Sequence, residues 1–267
     1  ELKSPKAGPV VVTSSFTLMR HDVCMPVDPA LTREHTADEL KKLEKYLQEQ
    51  KQGAVTPEIR ALAEKTVGAE KNPLKVARLL YDKVIEHVQY WVIDPGKWKA
   101  SGSGSATYTY EKCTGNCTDF HGLYHAMCMA VKLPCRTVYG GFFKGPLDGV
   151  DKDQSYHCWL EIHAPNVGWV PLDVSVADLY AQEIALTDAN KDLVNLTLPN
   201  GYHGKDLKAV DYYFGNLDER RVFWHEGRDL ELGQADGPIN FLPWYYAEVD
   251  GKKAGIGKRK LTFKEKK

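Results

Sequence analysis

Apolar residues recur at helical spacing in three stretches that precede residue 90. A capping box at 36–39 begins the first stretch, and leucines at intervals of three and four predict a helix that continues to about Gln50. Thr56-Pro57 and Asn72-Pro73 begin the other two, because proline fits the first turn of a helix. These stretches are predicted to be helices, after an extended lead-in over residues 1–35.

The pattern changes twice after residue 90. Residues 95–109 are rich in glycine and serine, which predicts a mobile loop long enough to act as a lid, and residues 117–132 return to helical spacing. Beyond Pro134 the period becomes two. Strands are predicted over 136–143, 156–163 and 168–173, with shorter ones over 221–225, 229–232 and 244–249 and an irregular stretch over 188–211. The second half is therefore predicted to be a sheet.

The composition is typical of a globular protein. The chain has 267 residues, of which 43% are hydrophobic and 27% charged, so it can bury a core and is too apolar to be disordered. Its net charge of −1 provides no basic field for a phosphate backbone, and we do not expect nucleic acid as a partner. The longest apolar runs fall far short of the roughly 18 residues that a membrane span needs.

Basic residues concentrate at the end of the chain. Beyond Gly251 there are eight lysines or arginines and one acid, Glu265. Such a segment can contact an anionic surface. The interpretation we favour is a solvated tail around one edge strand, whose lysines discourage pairing with other edges.

Five of the six cysteines fall within residues 113–158. Six cysteines are too few for a disulfide scaffold in a chain of this length. The clustering therefore points to a nucleophile, to a metal site or to a core that tolerates cysteine.

Cys117 has the surroundings that a nucleophilic cysteine needs. It begins a predicted helix, where unpaired N–H groups and the helix dipole lower the pKa of a thiol. Gly115-Asn116 lets the chain turn into that helix and leaves the Cys117 N–H free to face a developing oxyanion. A base must then reach the thiol, and a third group must orient the base.

His157 and Asp173 are the candidates for those two roles. They lie on neighbouring predicted strands, joined by a turn at Pro165 to Gly168. An antiparallel hairpin centred near residue 165 would place the two residues opposite each other. Pairing of the strands alone would then bring the imidazole and the carboxylate side by side.

Three segments in this order resemble the transglutaminase-like superfamily. They are GNCTDFHGLYHAMCMAVKLPCRTVYGGF (115–142), YHCWLEI (156–162) and GWVPLDVS (168–175), which are similar to the Cys, His and Asp boxes of that superfamily. Residues 56–90 resemble the helices that precede the Cys box in bacterial members, and residues 212–232 are similar, more loosely, to a segment that follows the core in secreted bacterial members. The resemblance covers about residues 56–178.

The resemblance implies an α+β, papain-like fold, in which the nucleophile helix packs on an antiparallel sheet, and acyl transfer through a thioester. Cys117 would be the nucleophile, His157 the general base and then acid, and Asp173 the group that holds the imidazole tautomer. No metal or organic cofactor is implied. Further candidates for oxyanion or substrate binding are Trp98, Tyr108, Tyr110, Asn116 and Trp159.

The acceptor of the acyl group stays open at this point. Water as acceptor makes a peptidase or amidase, whereas an amine makes a transamidase that cross-links glutamine to lysine. We expect a protein or peptide substrate and favour hydrolysis. The oligomeric state cannot be read from the pattern.

The chain departs from the superfamily at Cys158, where members commonly have an aliphatic or small residue. Catalysis does not explain the other cysteines of the cluster either. One possibility is a regulatory disulfide between Cys113 and either Cys117 or Cys158, and the alternative is that these thiols are free.

Two other classes of function stay open. Cys117, His121 and His125 fall on one helix face, with Cys113 before them and Cys128 after, which would suit zinc, but no second cysteine pair has the spacing of a zinc knuckle. The favoured interpretation of the two histidines is that they are ordinary helix residues. The other class is a binding module that has lost the chemistry. The strand aromatics Tyr139, Phe142, Trp159 and Trp169 could form its platform, although alternating positions favour core packing.

We therefore expect a lead-in over 1–35, a transglutaminase-like domain over 36–250 and a basic tail or edge strand over 251–267. The chain begins at Glu1 without an apolar leader, so we expect that any targeting segment has been removed. Together with the resemblance to secreted bacterial members, this favours an exported protein.

Overall fold

The computed structural model describes residues 11–150, 156–231, 248–255 and 261–266. Its helices are α1 (Ala37–Lys42), α2 (Pro57–Val67), α3 (Pro73–His87), α4 (Ala106–Lys112), α5 (Cys117–Ala130), α6 (Val174–Ala181), α7 (Lys191–Asn195) and α8 (Leu207–Tyr212). Its strands are β1 (Val23–Cys24), β2 (Gln89–Tyr90), β3 (Thr114–Gly115), β4 (Cys135–Phe142), β5 (Tyr156–Ala164), β6 (Gly168–Leu172), β7 (Asn216–Leu217), β8 (Arg221–Glu226), β9 (Glu248–Val249) and β10 (Lys252–Lys253).

A four-stranded antiparallel sheet has α5 packed against it. The strand order is β6-β5-β4-β8. The strands β4, β5 and β6 follow one another in the chain and pair as neighbours, and β8, from later in the chain, pairs with the free edge of β4. Every residue of α5 is buried, because α2, α3 and α4 cover the helix on the sides that the sheet leaves open. The predicted α+β arrangement, with the helix of Cys117 on an antiparallel sheet and helices before it, is confirmed.

The helices that precede α5 begin where the sequence predicts. The Thr56 side chain caps α2 and the Asn72 side chain caps α3, each with proline in the first turn. The first helix is shorter than predicted, since α1 ends at Lys42 and a 3₁₀ turn follows over Glu44–Leu47. None of the α1 residues is buried, so no tertiary packing extends the helix toward Gln50.

The glycine- and serine-rich loop is held in place rather than being a free lid. Ser101 Oγ donates a hydrogen bond to an Asp119 carboxylate oxygen and accepts bonds from the backbone N–H groups of the next residues. The Arg228 guanidinium donates to the carbonyls of Ser103 and Gly104 from the other side, at 3.0 and 2.9 Å. The predicted loop also ends early, because α4 begins at Ala106, which is completely buried.

The second half of the chain is not a sheet throughout. The strands β4, β5, β6 and β8 are confirmed to within a residue or two of their predicted ends. The three helices α6, α7 and α8, however, fall between Val174 and Tyr212, where a sheet and an irregular stretch were predicted. Asp173 caps α6 with its side chain, and this cap ends β6.

The two ends of the described chain pack on this core. Residues 11–22 have no regular structure, and β1 then pairs with β7. Near the other end, Lys264 and Glu265 contact Asp148 through an ion pair and a backbone hydrogen bond. The strand predicted over 229–232 is not formed, since residues 229–231 hold only a single bridge residue, Leu230. Residues 244–247 of the last predicted strand lie outside the described residues, and its end forms β9. Within the described residues, no helix is both long and apolar enough to cross a membrane.

Candidate active site

Cys117 occupies the first position of α5. Asn116 caps the helix, since its side-chain oxygen accepts from the N–H groups of Thr118 and Asp119 at 3.1 and 3.2 Å, and the Asp119 carboxylate accepts from the Asn116 N–H in return. The Asn116 side chain therefore shapes the start of the helix. The Cys117 thiol lies close to the positive end of the helix dipole, with 6% of the residue exposed.

His157 and Asp173 meet in the interior beside Cys117. His157 Nε2 lies 2.7 Å from Asp173 Oδ2, and both residues are buried. Cys117 lies close enough to His157 for each side chain to shift the pKa of the other. Because Nε2 is committed to the carboxylate, the other ring nitrogen is the one available to the thiol. The structure thus brings the three predicted residues together in one buried group, in which His157 and Asp173 hydrogen-bond.

The contact does not arise through the pairing that the sequence predicted. Ala164 pairs with Gly168 and Leu160 with Leu172, so the antiparallel hairpin is centred on Asn166, one residue beyond the predicted centre, and this register does not place Asp173 opposite His157. Asn166 has a left-handed φ of 67°, which places it at the middle of a three-residue turn. Asp173 lies beyond the end of β6, and its carboxylate reaches His157 from the cap of α6.

Asp173 is also held by groups that the sequence analysis did not single out. Arg221 Nη1 donates to Oδ2 at 2.6 Å, and Ser175 Oγ donates to Oδ1 at 2.8 Å. Arg221 is completely buried, bonds Asp218 through Nε and lies 3.7 Å from the Phe142 ring centroid. Nothing in the local sequence distinguishes Arg221 from its neighbour Arg220, since only the β4–β8 pairing directs one of them inward.

The electrostatics favour an ionised pair of Cys117 and His157. A hydrogen bond from Cys158 and the His157 imidazolium hold the pKa of the Cys117 thiol well below its usual range, against the opposing effect of burial. Burial alone would lower the pKa of His157, but the charges of Asp173 and Cys117 raise it. Burial likewise opposes the charge of Asp173, yet His157 and Arg221 keep its pKa well below the usual value.

His121 and Cys158 form a second contact pair next to these residues. His121 Nδ1 lies 3.2 Å from Cys158 Sγ, and His121 Nε2 lies 3.4 Å from Asp173 Oδ1, a longer and less direct contact than that of His157. Burial and the hydrogen bond with Cys117 raise the pKa of the Cys158 thiol well above its usual range. Asp173 is therefore shared by two imidazoles, each of which faces a different thiol.

The aromatic residues predicted for oxyanion or substrate binding make contacts with residues other than Cys117. Tyr108 OH donates to the Lys99 carbonyl, Tyr110 stacks on His87, and Trp98 contacts Lys97. Trp159 is buried in a cluster with Val138 and Leu217, and its Nε1 has no hydrogen-bond partner among the described residues.

Tyr90, which the sequence analysis missed, is an aromatic residue that hydrogen-bonds with the backbone of Cys117. The Cys117 N–H donates to the Tyr90 hydroxyl oxygen at 3.2 Å. The backbone of Tyr90 is fixed in turn, because its N–H donates to the buried Asp178 carboxylate at 2.9 Å. Tyr90 reaches the site through the parallel pairing of β2 with β3, which places Tyr90 opposite Gly115.

All six cysteines are free thiols. Cys113 is exposed at the end of α4, where its sulfur lies 3.8 Å from His87 Nε2. The possible disulfide of Cys113 with Cys117 or Cys158 is therefore not formed in this structure. In the part of the chain that the structure describes, no group of three or more His, Cys, Asp or Glu side chains is placed to hold a metal ion.

Three of the four strand aromatics pack in the core, as their alternating positions favoured. Tyr139, Phe142 and Trp159 are buried. Trp169 is partly exposed, and it packs against Tyr46 and under the Arg136 guanidinium. The four rings therefore do not form one open surface.

Part of the chain matches the model of a known protein family. Residues 60–174 match the model of the transglutaminase-like superfamily, which confirms the resemblance predicted from the three boxes. An uncharacterized protein of Haemophilus influenzae is 26% identical over 214 residues, which are 72% of this chain and 53% of that protein. The chain therefore spans about half the length of this curated relative.

Two solved structures are also similar to the chain. A proposed cysteine protease from Cytophaga hutchinsonii is 20% identical with a TM-score of 0.40, over 76% of this chain and 59% of that one. The periplasmic domain of TgpA from Pseudomonas aeruginosa is 21% identical with a TM-score of 0.39, over 50% of this chain and 46% of that one.

Proposed function

With residues 60–174 matching the transglutaminase-like superfamily, we propose that this chain is a cysteine-dependent acyl-transfer enzyme that acts on amide bonds of proteins or peptides. The observation that carries the proposal is the buried group of Cys117, His157 and Asp173, in which His157 hydrogen-bonds to Asp173 and Cys117 stands at the start of a helix. Hydrolysis is the favoured outcome, and transfer to an amine is the alternative within the same chemistry.

The proposed reaction uses each of the three residues in turn. The Cys117 thiolate attacks the substrate carbonyl, and the oxyanion of the tetrahedral intermediate lies against the N-terminus of α5. The His157 imidazolium gives its proton to the leaving amine, which leaves a thioester on Cys117. His157 then takes a proton from water or from an acceptor amine, and Asp173 keeps the ring in the required tautomer throughout.

We place the side chain of Tyr90 in the oxyanion site. The sequence analysis had proposed Trp98, Tyr108 and Tyr110 for this role. The Tyr90 hydroxyl oxygen lies where the Cys117 N–H points, so an incoming oxyanion must take its place on that N–H. Burial raises the pKa of Tyr90 well above the usual value, and the hydroxyl therefore keeps its proton and can donate it to the oxyanion.

The test of the thiolate is site-resolved labelling with iodoacetamide at about pH 6, where an ordinary thiol of pKa ~8.5 reacts slowly. We expect Cys117 to be labelled faster than the exposed Cys113, and we expect His157→Ala to remove the difference. Cys113 is the internal control, because it is the more accessible of the two. Uniformly slow labelling would contradict the proposal and would favour a binding module without chemistry.

The test of the activity compares variants and acceptors. Cys117→Ala should abolish turnover while the circular dichroism spectrum stays that of the wild type, and Asp173→Asn should leave a small residual rate, because the thiol and helix terminus persist. Full turnover by Cys117→Ala would remove the hypothesis. Incubation of a glutamine-containing peptide in ¹⁸O water with a fluorescent primary amine separates the acceptors, since hydrolysis leaves ¹⁸O in the product and transamidation leaves the fluorophore.

An exported location is also part of this proposal. It rests on the resemblance to secreted bacterial members. Fractionation of cells that express the complete gene product would test it, and recovery of the protein with the cytoplasm alone would contradict it.

A further inference from the structure

Cys158 is a buried thiol next to Cys117, and the proposed reaction does not use it. It lies in one small buried cluster with Cys117 and Tyr139. Both sulfurs also approach the same hydroxyl, Thr118 Oγ1, at 3.9 and 3.8 Å. Two thiols are therefore held side by side, one of them at the reactive end of α5.

His121 provides a base for the second thiol. Its Nδ1 lies 3.2 Å from Cys158 Sγ, and its Nε2 faces the Asp173 carboxylate at 3.4 Å. Nδ1 is therefore the ring nitrogen placed to take the proton of Cys158 when that thiol reacts. Cys158 and His121 thus form a second thiol–imidazole pair beside Asp173, but His121 Nε2, unlike His157 Nε2, makes no hydrogen bond among the described residues.

We propose that Cys117 and Cys158 are a covalent modification site, at which a hydroperoxide oxidises Cys117 and Cys158 closes a reversible disulfide with it. The proposal rests on the reactive Cys117 thiolate of the proposed function and adds a second fate for it. With Cys117 in a disulfide no thioester can form, so the oxidised protein is inactive until a thiol reductant restores it.

The chemistry balances in two steps. The Cys117 thiolate attacks one oxygen of the hydroperoxide, a sulfur–oxygen bond forms, the oxygen–oxygen bond breaks, and the leaving oxygen takes a proton from the His157 imidazolium. Cys158 then gives its proton to His121 and attacks the sulfenic sulfur. A sulfur–sulfur bond forms, and the displaced hydroxide leaves as water with the proton held by His121. Two thiols and one hydroperoxide thus give one disulfide, one water and one alcohol or second water.

Cys158 is better placed for this role than the exposed Cys113. Cys113 faces His87 and the Tyr110 carbonyl, on the outer side of the short strand that leads to Cys117. Cys158 is completely buried and reaches the site from the sheet. A resolving thiol that is already in contact outcompetes further oxidation of the sulfenic acid, so the pair also protects Cys117 from irreversible sulfinic acid.

The experiment treats the full chain with hydrogen peroxide and maps the thiols by mass spectrometry after digestion without reductant. We expect a cross-linked peptide pair that joins Cys117 to Cys158, and iodoacetamide labelling of Cys117 that falls at least about tenfold and returns after dithiothreitol. A His121→Asn variant should accumulate sulfenic acid at Cys117 that dimedone traps, because Cys158 has lost its base.

Matched variants keep the interpretation sharp. Cys158→Ala and the milder Cys158→Ser should convert reversible loss into irreversible sulfinic acid at Cys117, whereas Cys113→Ala should behave as the wild type. A sulfinic acid at Cys117 with Cys158 still free in the wild type would overturn the proposal, as would a disulfide to Cys113. These outcomes do not depend on turnover, so the modification site and the acyl-transfer proposal fail separately.

Discussion

At the scale of single residues, the polar contacts of the site converge on Asp173. One of its oxygens meets His157 and Arg221, and the other meets Ser175 and His121. The carboxylate is completely buried, and its charge is tolerated because the Arg221 guanidinium and the His157 imidazole hydrogen-bond to it and can carry a positive charge. A neutral residue at position 173 would therefore leave Arg221 without one of its two acidic partners, in addition to releasing the imidazole.

Tyr90→Phe removes the hydroxyl from the proposed oxyanion site. We expect kcat to fall on the order of 10²-fold with a smaller change in KM, because the hydroxyl would stabilise charge that develops only in the transition state. Steady-state kinetics on a peptide substrate measures this. Faster turnover by Tyr90→Phe would instead identify the hydroxyl as a group that occupies the site in the resting state.

Lys144 is a buried ammonium near the site, and its Nζ lies 5.5 Å from the Phe142 ring centroid, with no side-chain hydrogen bond or ion pair to the residues that the structure describes. Burial lowers its pKa to about 8, an effect to which the Arg221 charge adds. Between about pH 8 and its unfolded value the native amine is neutral while the unfolded one holds a proton, so the free energy of unfolding rises with pH there.

Lys144→Met removes this buried charge. We expect the free energy of unfolding at pH 7 to rise on the order of 2 kcal/mol. Urea denaturation of the variant and the wild type at pH 7 and at pH 10 tests this, because the difference should shrink at the higher pH. Lys144→Arg keeps the charge and serves as the control. A destabilised Lys144→Met at both pH values would show that the ammonium has a stabilising partner.

The three central residues of the site could be predicted from the sequence because their types, order and local settings each carry chemical meaning. Cys117 follows a cap, and His157 and Asp173 fall on or next to predicted strands. Tyr90 and Arg221 could not be predicted in this way. Their roles depend on contacts 27 and 48 positions away in sequence, between elements whose pairing the local pattern does not encode.

At the scale of elements, β4 and β8 leave no room for a side chain at Gly140. A Cβ there would lie 2.1 Å from the Val222 carbonyl oxygen and 2.8 Å from the Trp159 ring. The ladder also shifts register between Tyr139 and Gly140. The absence of a side chain at this position therefore lets β8 join the sheet and bring Arg221 to Asp173.

Gly140→Ala forces backbone atoms apart at this crossing. We expect it to destabilise the fold by about 2–3 kcal/mol, because a backbone carbonyl cannot move aside as a flexible side chain can. Urea denaturation measures the change. Gly96→Ala, whose Cβ would make only an ordinary 3.4 Å contact with Asp94, is the matched control and should change stability by less than about 0.5 kcal/mol. Equal effects of the two substitutions would contradict the role given to Gly140.

Helix boundaries could be predicted where a cap, a first-turn proline and a buried face agree, as they do for α2 and α3. The prediction was wrong where only one of these signals was present. The leucines of the predicted first helix find no buried surface beyond Lys42, and the mixed Val174–Ala181 segment shows no clear period before the Asp173 cap is seen to begin a helix.

At the scale of the whole molecule, buried histidines make the fold sensitive to acid. Burial and the Arg228 charge lower the pKa of His125 to about 3, and burial with the His163 charge lowers that of His35 to about 4. Below the unfolded value of about 6.5 the unfolded chain binds protons that the native one does not, so stability falls as the pH falls. The raised pKa of His157 acts in the opposite direction, but it is one residue against four, because burial also lowers the pKa of His163 and of His225.

We expect His125 alone to cost about 2 kcal/mol of unfolding free energy between pH 7 and pH 5. Urea midpoints at pH 7, 6 and 5 give the slope. His125→Gln should flatten it, because glutamine does not titrate, whereas the exposed His203→Gln should leave it unchanged. An unchanged slope in His125→Gln would contradict the prediction, because it would show that His125 does not cause the loss of unfolding free energy between pH 7 and pH 5.

The contact of Arg221 with Asp173 has a consequence for the order in which the molecule is made. Cys117, His157 and Asp173 all leave the ribosome before Arg221, which follows Asp173 by 48 positions. At about 5–20 residues per second the nascent chain spends a few seconds with its thiol and imidazole present but its carboxylate without the guanidinium. Synthesis of β8 therefore provides the last of these contacts. A chain that ends before residue 221 would contain Cys117, His157 and Asp173 but would lack the guanidinium that holds the Asp173 carboxylate.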